Sequence, residues 1–262
     1  MESFTNVILV CTHKEASFPK DKLYYPLQLG VDEYNFDLGI GKDNTGDNIS
    51  YKHRYYSEFS GLYWAWKNIK YDYLGICHYR RFFFGKKKHD EEKRFRRVLS
   101  YDELEKLIEH FPDTIFVAPK RNYYIKTLYN HYKQEHNIDD LDKAIELMKN
   151  CFPEYYDTFI SVLHGTSAHM FNAFIMPKEK MDSYCSFLFS FLSQYEKLVD
   201  VSGYSEYQAR ICGFIGERLL EVWIRKNNVK YKEIKYGFID GNHFFEKVLK
   251  FIKHSFSKRN LS

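Results

Sequence analysis

Asn6-Val7-Ile8-Leu9-Val10-Cys11, closed by Thr12-His13-Lys14, is the stretch on which the reading of this chain turns. A short apolar run that ends in polar and basic residues predicts a buried strand. Working outward, Tyr73-Leu74-Gly75-Ile76-Cys77 predicts a second one, and between them Glu58 to Asn68 carries Phe59, Leu62, Tyr63 and Trp66 at helical spacing. Ser100-x-x-Glu103 is a capping box opening a helix to about His110, which Pro112 stops. Thr114 to Ala118 reads as a third strand and Phe171 to Met176 as a fourth, with helices near Asp139 to Cys151 and Pro153 to Leu163 between them. Helices over Glu179 to Leu198 and Ser205 to Lys226 and a strand near Val229 to Lys235 follow. This alternation predicts a single layered α/β domain over residues 1–243, with a mostly parallel central sheet flanked by helices and a helix-rich C-terminal half.

Ligands on such sheets bind at the carboxyl ends of the strands. Here those ends are His13-Lys14, His78-Tyr79-Arg80-Arg81 and Lys120-Arg121, so positive charge gathers where an anionic ligand would sit. Adjacent Arg80 and Arg81 supply guanidinium forks suited to a phosphate, and a departing diphosphate needs that neutralisation. Each arginine alone could equally serve a structural ion pair.

Composition narrows the classes. A chain of 262 residues at 44% apolar content can bury one full core. Its net charge of +4 is too mild for a nucleic-acid binder, and the run from Lys86 to Arg97 mixes signs as a solvated loop does. The 23 tyrosines and 23 phenylalanines suit sugar or base stacking, and an AT-biased genome would give the same excess. Cys11, Cys77, Cys151, Cys185 and Cys212 form no C-x-x-C pair and are read as buried thiols in a reducing compartment. The first ten residues lack the basic start and longer apolar stretch of a signal peptide, and no segment is long enough to span a bilayer. A cytoplasmic protein is expected. Residues 244–262 place Phe245, Val248, Leu249, Ile252 and Phe256 on one helical face with lysines largely elsewhere, a pattern suited to an anionic inner-leaflet surface or to packing on the domain.

Transfer of a group to a hydroxyl needs a carboxylate to take the acceptor proton. Glu206 and Glu217 are the candidates, since a helix from Ser205 would put Glu206, Arg210, Gly213 and Glu217 on one face. The loop from Asp43 to Ser50 could bind a ribose or sugar hydroxyl, and its composition is also ordinary turn chemistry. His164 and His169 could line a site or be structural. No metal ligands are assigned: a divalent ion is conceivable as cofactor, yet the D-x-D at Asp140-Leu141-Asp142 falls at a helix start rather than a strand end. P-loop, dinucleotide and G-x-S-x-G motifs are absent.

Thr12-His13-Lys14, Gly46-Asp47-Asn48-Ile49, Gly61-Leu62-Tyr63-Trp64, Tyr73 to Arg81, Pro119 to Tyr124 and Tyr207 to Leu219 together resemble, in order, a family of bacterial capsule and O-antigen polysaccharide-biosynthesis proteins long catalogued as a domain of unknown function. The resemblance implies a GT-A-like glycosyltransferase, with some relatives moving galactofuranose from UDP-galactofuranose, and an inverting outcome. It implies a UDP-sugar donor, a lipid-linked glycan acceptor and no nucleic acid. In that scheme His13, Lys14, Asp47, Asn48, His78, Tyr79, Arg80, Arg81 and Lys120 attend the nucleotide sugar, and His169, Tyr204, Arg210 and Arg218 the acceptor. Glu206 is the first choice of base and Glu217 the second. A non-catalytic glycan-binding component of a polysaccharide assembly is the competing class.

Overall fold

Asn6–Thr12 forms β1, and all seven of its residues are buried. Burial on both faces is why the run is apolar throughout instead of alternating. A computed structural model describes residues 2–34 and 36–239. After β1 come β2 (Tyr24–Gln28), β3 (Gly41–Lys42), α1 (His53–Tyr56), α2 (Phe59–Asn68), β4 (Tyr73–His78) and β5 (Arg81–Phe83). They are followed by α3 (Tyr101–His110), β6 (Ile115–Val117), β7 (Arg121–Asn122), α4 (Leu128–Glu135), α5 (Ile138–Cys151), α6 (Pro153–His164) and β8 (Ser167–Ala168). The last are β9 (Phe174–Pro177), α7 (Lys178–Tyr195), α8 (Ile211–Lys226), β10 (Tyr231–Glu233) and β11 (Tyr236–Phe238).

The main sheet runs β10-β6-β9-β4-β1-β2-β3, with β5 and β11 joined beside β4. β1 is parallel to β2 and β4, and β6 to β10, so the sheet is mostly parallel as the alternation predicts. Within that order β9 runs antiparallel to both neighbours, with Phe174 opposite Ile76 and Val117. β4 and β6 therefore end at the same edge as β1 and β2. Alternate residues feed two cores. Val7, Leu9, Leu74 and Ile76 pack with Phe59, Leu62, Leu188 and Leu219 on one face, and Ile8, Val10 and Cys77 with Phe82, Phe95, Leu99 and Leu104 on the other.

The Ser100 capping box forms, and the same Glu103 carboxylate accepts the backbone N–H of Lys86 and Lys87 at 2.8 and 3.0 Å, which pins the charged loop to α3. Several expectations are corrected. The helix expected from Ser205 begins at Ile211, because Gln208 is drawn away from a helical path: its Nε2 donates to Glu135 O at 2.9 Å and its Oε1 meets His136 Nδ1 at 3.1 Å. Glu206 thus lies in turns ahead of α8 and does not share a helix face with Glu217. β2 went unread because Pro26 interrupts it, a residue tolerated here since β3 pairs only with Leu27 and Gln28. Cys151 is exposed, whereas Cys11, Cys77, Cys185 and Cys212 are buried. Among the described residues no helix is long and apolar enough to cross a membrane. The basic helix expected over 244–262 lies outside the described residues.

Candidate active site

At the carboxyl end of β1 the chain turns on Thr12, whose Oγ1 donates to Lys14 O at 2.6 Å and accepts the Lys14 N–H at 3.2 Å. That turn presents His13 to three rings: Tyr79 at 6.1 Å, His53 at 6.2 Å and Tyr34 at 6.5 Å between centroids. At the end of β4, the His78 ring lies tilted against Tyr79 at 4.3 Å between centroids, and its Nδ1 accepts the Arg80 N–H at 3.2 Å. Lys14 Nζ and Arg80 Cζ stand 5.6 and 5.3 Å from the Tyr79 ring centre, and Arg81 Cζ lies 4.4 Å from the ring of Phe238. His13, Lys14, His78, Tyr79, Arg80 and Arg81 are therefore brought together at one sheet edge.

The charges in this cup come from lysine and arginine. Burial pushes the His78 imidazole down to about 3, helped by Arg80, Arg81, His13 and Lys14. His53 falls to about 4 for the same first reason, with His13 and Arg210 adding to it. His13 is lowered by burial and by Lys14, Arg210 and Arg80. At neutral pH His53 and His78 are neutral rings among cations, a lining that suits a flat base and an anionic tail.

Behind the cup, buried Asp43 organises the approach to α2. Its carboxylate accepts the Gly30 N–H at 3.0 Å, the Ser50 hydroxyl at 2.5 Å and the Ser60 hydroxyl at 2.8 Å. His53 Nδ1 meets Ser57 O at 3.0 Å and Ser60 Oγ at 3.2 Å, which aims its ring towards His13. Asp43 opens the loop read from the sequence as a possible hydroxyl-binding segment, and here it organises the backbone instead; His53 and Tyr34 were not singled out, because nothing but tertiary contact marks them.

Two carboxylates line the next step along the edge. Ser57 turns the chain into α2 with φ +51°, and Glu58 follows it. α8 packs against this corner through two glycines, since a Cβ on Gly213 would stand 2.8 Å from Ser57 Oγ and one on Gly216 2.1 Å from Phe59 Cε2. Glu58 precedes Phe59 and Glu217 follows Gly216 at this corner, and both are partly buried. Burial, reinforced by the Glu58 charge and opposed by Arg218, Arg121 and Arg81, pushes the Glu217 carboxyl up to about 7. Burial also raises Glu58, against Arg210 and Arg81. Glu206 is exposed at the rim, where its charge reaches His13 and Tyr34.

Other sequence candidates sit elsewhere. Asp47 and Asn48 lie in a loop tied towards the far end of α2: Asn68 Nδ2 donates to Asp47 O at 2.7 Å, the Tyr63 hydroxyl donates to Asp47 Oδ1 at 3.2 Å, and Asn48 Nδ2 donates to Gly46 O at 3.0 Å. Lys120 and His169 surround buried Glu221, at 2.8 and 2.6 Å, together with Arg225 Nε at 2.6 Å. Tyr204 donates to Asp140 at 3.0 Å and Asn137 Nδ2 donates to the Tyr204 oxygen at 2.7 Å. Arg218 is buried, with Nη1 donating to Phe214 O at 2.5 Å and its guanidinium 4.8 Å from the Tyr132 ring centre. Arg210 stands at the N-cap position of α8 without a side-chain cap bond, and its charge reaches His13 and His53. His164 is exposed at the end of α6. Among the described residues no group of three or more His, Cys, Asp or Glu side chains is placed to hold a metal ion.

The mostly parallel sheet, with β9 and β5 antiparallel to β4 and helices on its faces, is a GT-A-like α/β fold. The chain belongs to the family described as Domain of unknown function (DUF4422), whose model matches residues 7–228. It is also similar to a solved structure, the WbbM bifunctional glycosyltransferase in its apo form, at 27% identity and a TM-score of 0.82 over 90% of this chain. The chain spans 46% of that protein, about half its length. Comparison with curated proteins gives no match.

Proposed function

We propose that this chain transfers one sugar from a nucleoside diphosphate sugar to a glycan acceptor, with UDP-galactofuranose as the donor and a lipid-linked capsular or O-antigen glycan as the acceptor. What supports the reading is the gathering of His13, Lys14, Tyr79, Arg80 and Arg81 at one sheet edge, with the Arg81 charge reaching Glu217. In this reading the base stacks among the rings of His13, Tyr34, His53 and Tyr79, while Lys14, Arg80 and Arg81 meet the diphosphate. The acceptor oxygen attacks the anomeric carbon, and its proton passes to the Glu217 carboxylate. The bond from that carbon to the diphosphate breaks with its electron pair going to the departing oxygen, whose charge Arg80 and Arg81 neutralise. One displacement assisted by one base inverts the anomeric centre. Glu217 suits the base better than Glu206, because a partly buried carboxyl raised towards neutrality works best near operating pH. The reaction would take place at the inner face of the cell membrane, where a lipid-linked acceptor is presented.

The test is product formation: purified protein, UDP-galactofuranose or UDP-galactopyranose, and a synthetic lipid-linked acceptor, with and without manganese, followed by UDP release and by mass spectrometry of the acceptor. A gain of one hexose with equimolar UDP supports the reading. Glycan binding without UDP release from any nucleotide sugar would favour a non-catalytic glycan-binding component instead.

A further inference from the structure

Beyond β7 the chain passes through Tyr123-Tyr124-Ile125-Lys126 before it enters α4. The root of this segment is fixed. β7 pairs with β8, Arg121 opposite Ala168 and Asn122 opposite Ser167, and the Tyr123 N–H donates to Thr166 O at 2.8 Å. The Tyr123 ring packs 4.1 Å from His131, with the Arg121 guanidinium 4.9 Å from its centre. Asn122 Oδ1 then accepts the Tyr124 N–H at 2.8 Å, and the Ile125 N–H donates to Tyr123 O at 2.7 Å. This turn holds Tyr124 at φ +55°, a left-handed conformation that bulky residues avoid. Its result is outward projection: Tyr124 is 82% and Ile125 94% exposed, while no other large hydrophobic side chain among the described residues exceeds 58%.

The surroundings of the tip are cationic. From Pro119 to Gln134 the sequence carries Lys120, Arg121, Lys126 and Lys133 and no carboxylate, and Thr158 to Met170, which contains β8, carries none either. Lys120 is turned onto Glu221, but Arg121, Lys126 and Lys133 are exposed, and Lys126 Nζ bonds only the neutral Gln134 side chain, at 2.5 Å. On the helices behind, Asp142 of α5 accepts the Tyr129 hydroxyl at 3.0 Å and Glu135 lies at the far end of α4. We propose that this tip docks the chain on an anionic lipid bilayer, with Ile125 entering the acyl boundary, Tyr124 at the level of the headgroups, and Arg121, Lys126 and Lys133 on the lipid phosphates. An amphipathic tyrosine ring suits that depth and exposed cations are drawn to anionic lipid. A glycan would ask for hydrogen-bonding groups where the most exposed side chain is an isoleucine. The purpose of the contact rests on the sugar-transfer reading: Arg121 at the root also reaches Glu217 with its charge, so the tip and the acceptor side of the site share one hairpin.

The experiment measures partitioning of the full chain onto vesicles of phosphatidylglycerol and phosphatidylcholine in equal parts, with neither donor nor acceptor present. Wild-type protein should sediment with these vesicles, and the Tyr124→Ser, Ile125→Ser double variant, whose altered side chains are in solvent and leave the fold intact, should bind roughly 10–100-fold more weakly. Vesicles of phosphatidylcholine alone should bind the wild type at least about tenfold more weakly. In Ile125→Trp, brominated acyl chains should quench fluorescence beyond the wild-type level, a signal that binding through any other part of the chain does not produce. Equal partitioning of the double variant, no preference for the anionic vesicles, or no added quenching would each overturn the proposal. Loss of transfer to a water-soluble acceptor in the double variant, without any vesicle binding by the wild type, would overturn it in favour of a glycan contact. The vesicle measurements need no turnover, so absence of transfer with every donor would sink the sugar-transfer reading alone.

Discussion

A Cβ built on Gly216 would stand 2.1 Å from Phe59 Cε2 and 2.7 Å from Cζ. Phe59, the first residue of α2, is fully buried. In an exposed helix Gly→Ala gains about 1 kcal/mol, but here overpacking should win and cost about 1–3 kcal/mol net. Thermal melting of Gly216→Ala should give a Tm several degrees below wild type. A Tm equal to or above wild type would mean that α8 and the Ser57 corner are not in the close contact described.

Glu217→Gln should lower kcat roughly 10²–10⁴-fold with little change in donor KM. Glu206→Gln, at the exposed rim, should leave kcat within about tenfold of wild type. Steady-state kinetics on both variants decide the matter, and the reverse pattern would return the base to Glu206.

Most of the architecture was legible because long apolar and amphipathic runs announce themselves: β1, β4, α2, α5, α6 and the Ser100 cap all fall where the pattern puts them. Elements made by tertiary partners were not. β2 carries a proline, β3 is two residues long, and the residues from Ser205 to Arg210 have helical composition but follow Gln208 to the end of α4. The site divides the same way. Strand-end cations were visible because a buried strand must deliver its next residues to the edge. His53 and Tyr34 were hidden, since their meaning comes from His13, a residue distant in sequence and on another element. Asp47, Lys120, His169 and Tyr204 have the right chemistry for a sugar site, and they bond to Tyr63, Glu221 and Asp140.

Arg80→Ala and Arg81→Ala should each weaken UDP binding by roughly 10–100-fold, the value of a charge-assisted hydrogen bond of about 1.5–3 kcal/mol. Lys120→Ala should change UDP affinity less than threefold, because its Nζ is engaged with Glu221. Isothermal titration with UDP separates the two sets. Equal losses for all three would extend the cationic site to β6.

Burial alone would raise the Glu221 carboxyl, but hydrogen bonds from His169, Lys120 and Arg225 outweigh it and hold it down at about 2 against an ordinary 4.5. A carboxylate depressed on folding stabilises fully above its unfolded value, and that share is lost as pH falls towards the folded one. The side chain is 1% exposed, so the contribution is about 3 kcal/mol at neutral pH. Melting curves from pH 6 to 2.5 should show a steep fall in Tm below pH 4.5 that is flattened in Glu221→Gln. An identical acid limb in that variant would remove Glu221 from the account.

The central claim is that the strand-end cup receives a nucleoside diphosphate sugar, and thermal-shift measurement against UDP-, GDP-, CMP- and dTDP-sugars, with and without manganese, tests it most directly. A ligand at about 100 times its Kd adds roughly 2.7 kcal/mol of stability. The account predicts stabilisation by UDP and its galactose sugars that disappears in the Arg80→Ala, Arg81→Ala double variant. No response of the wild-type protein to any nucleotide, with or without the metal, would contradict it.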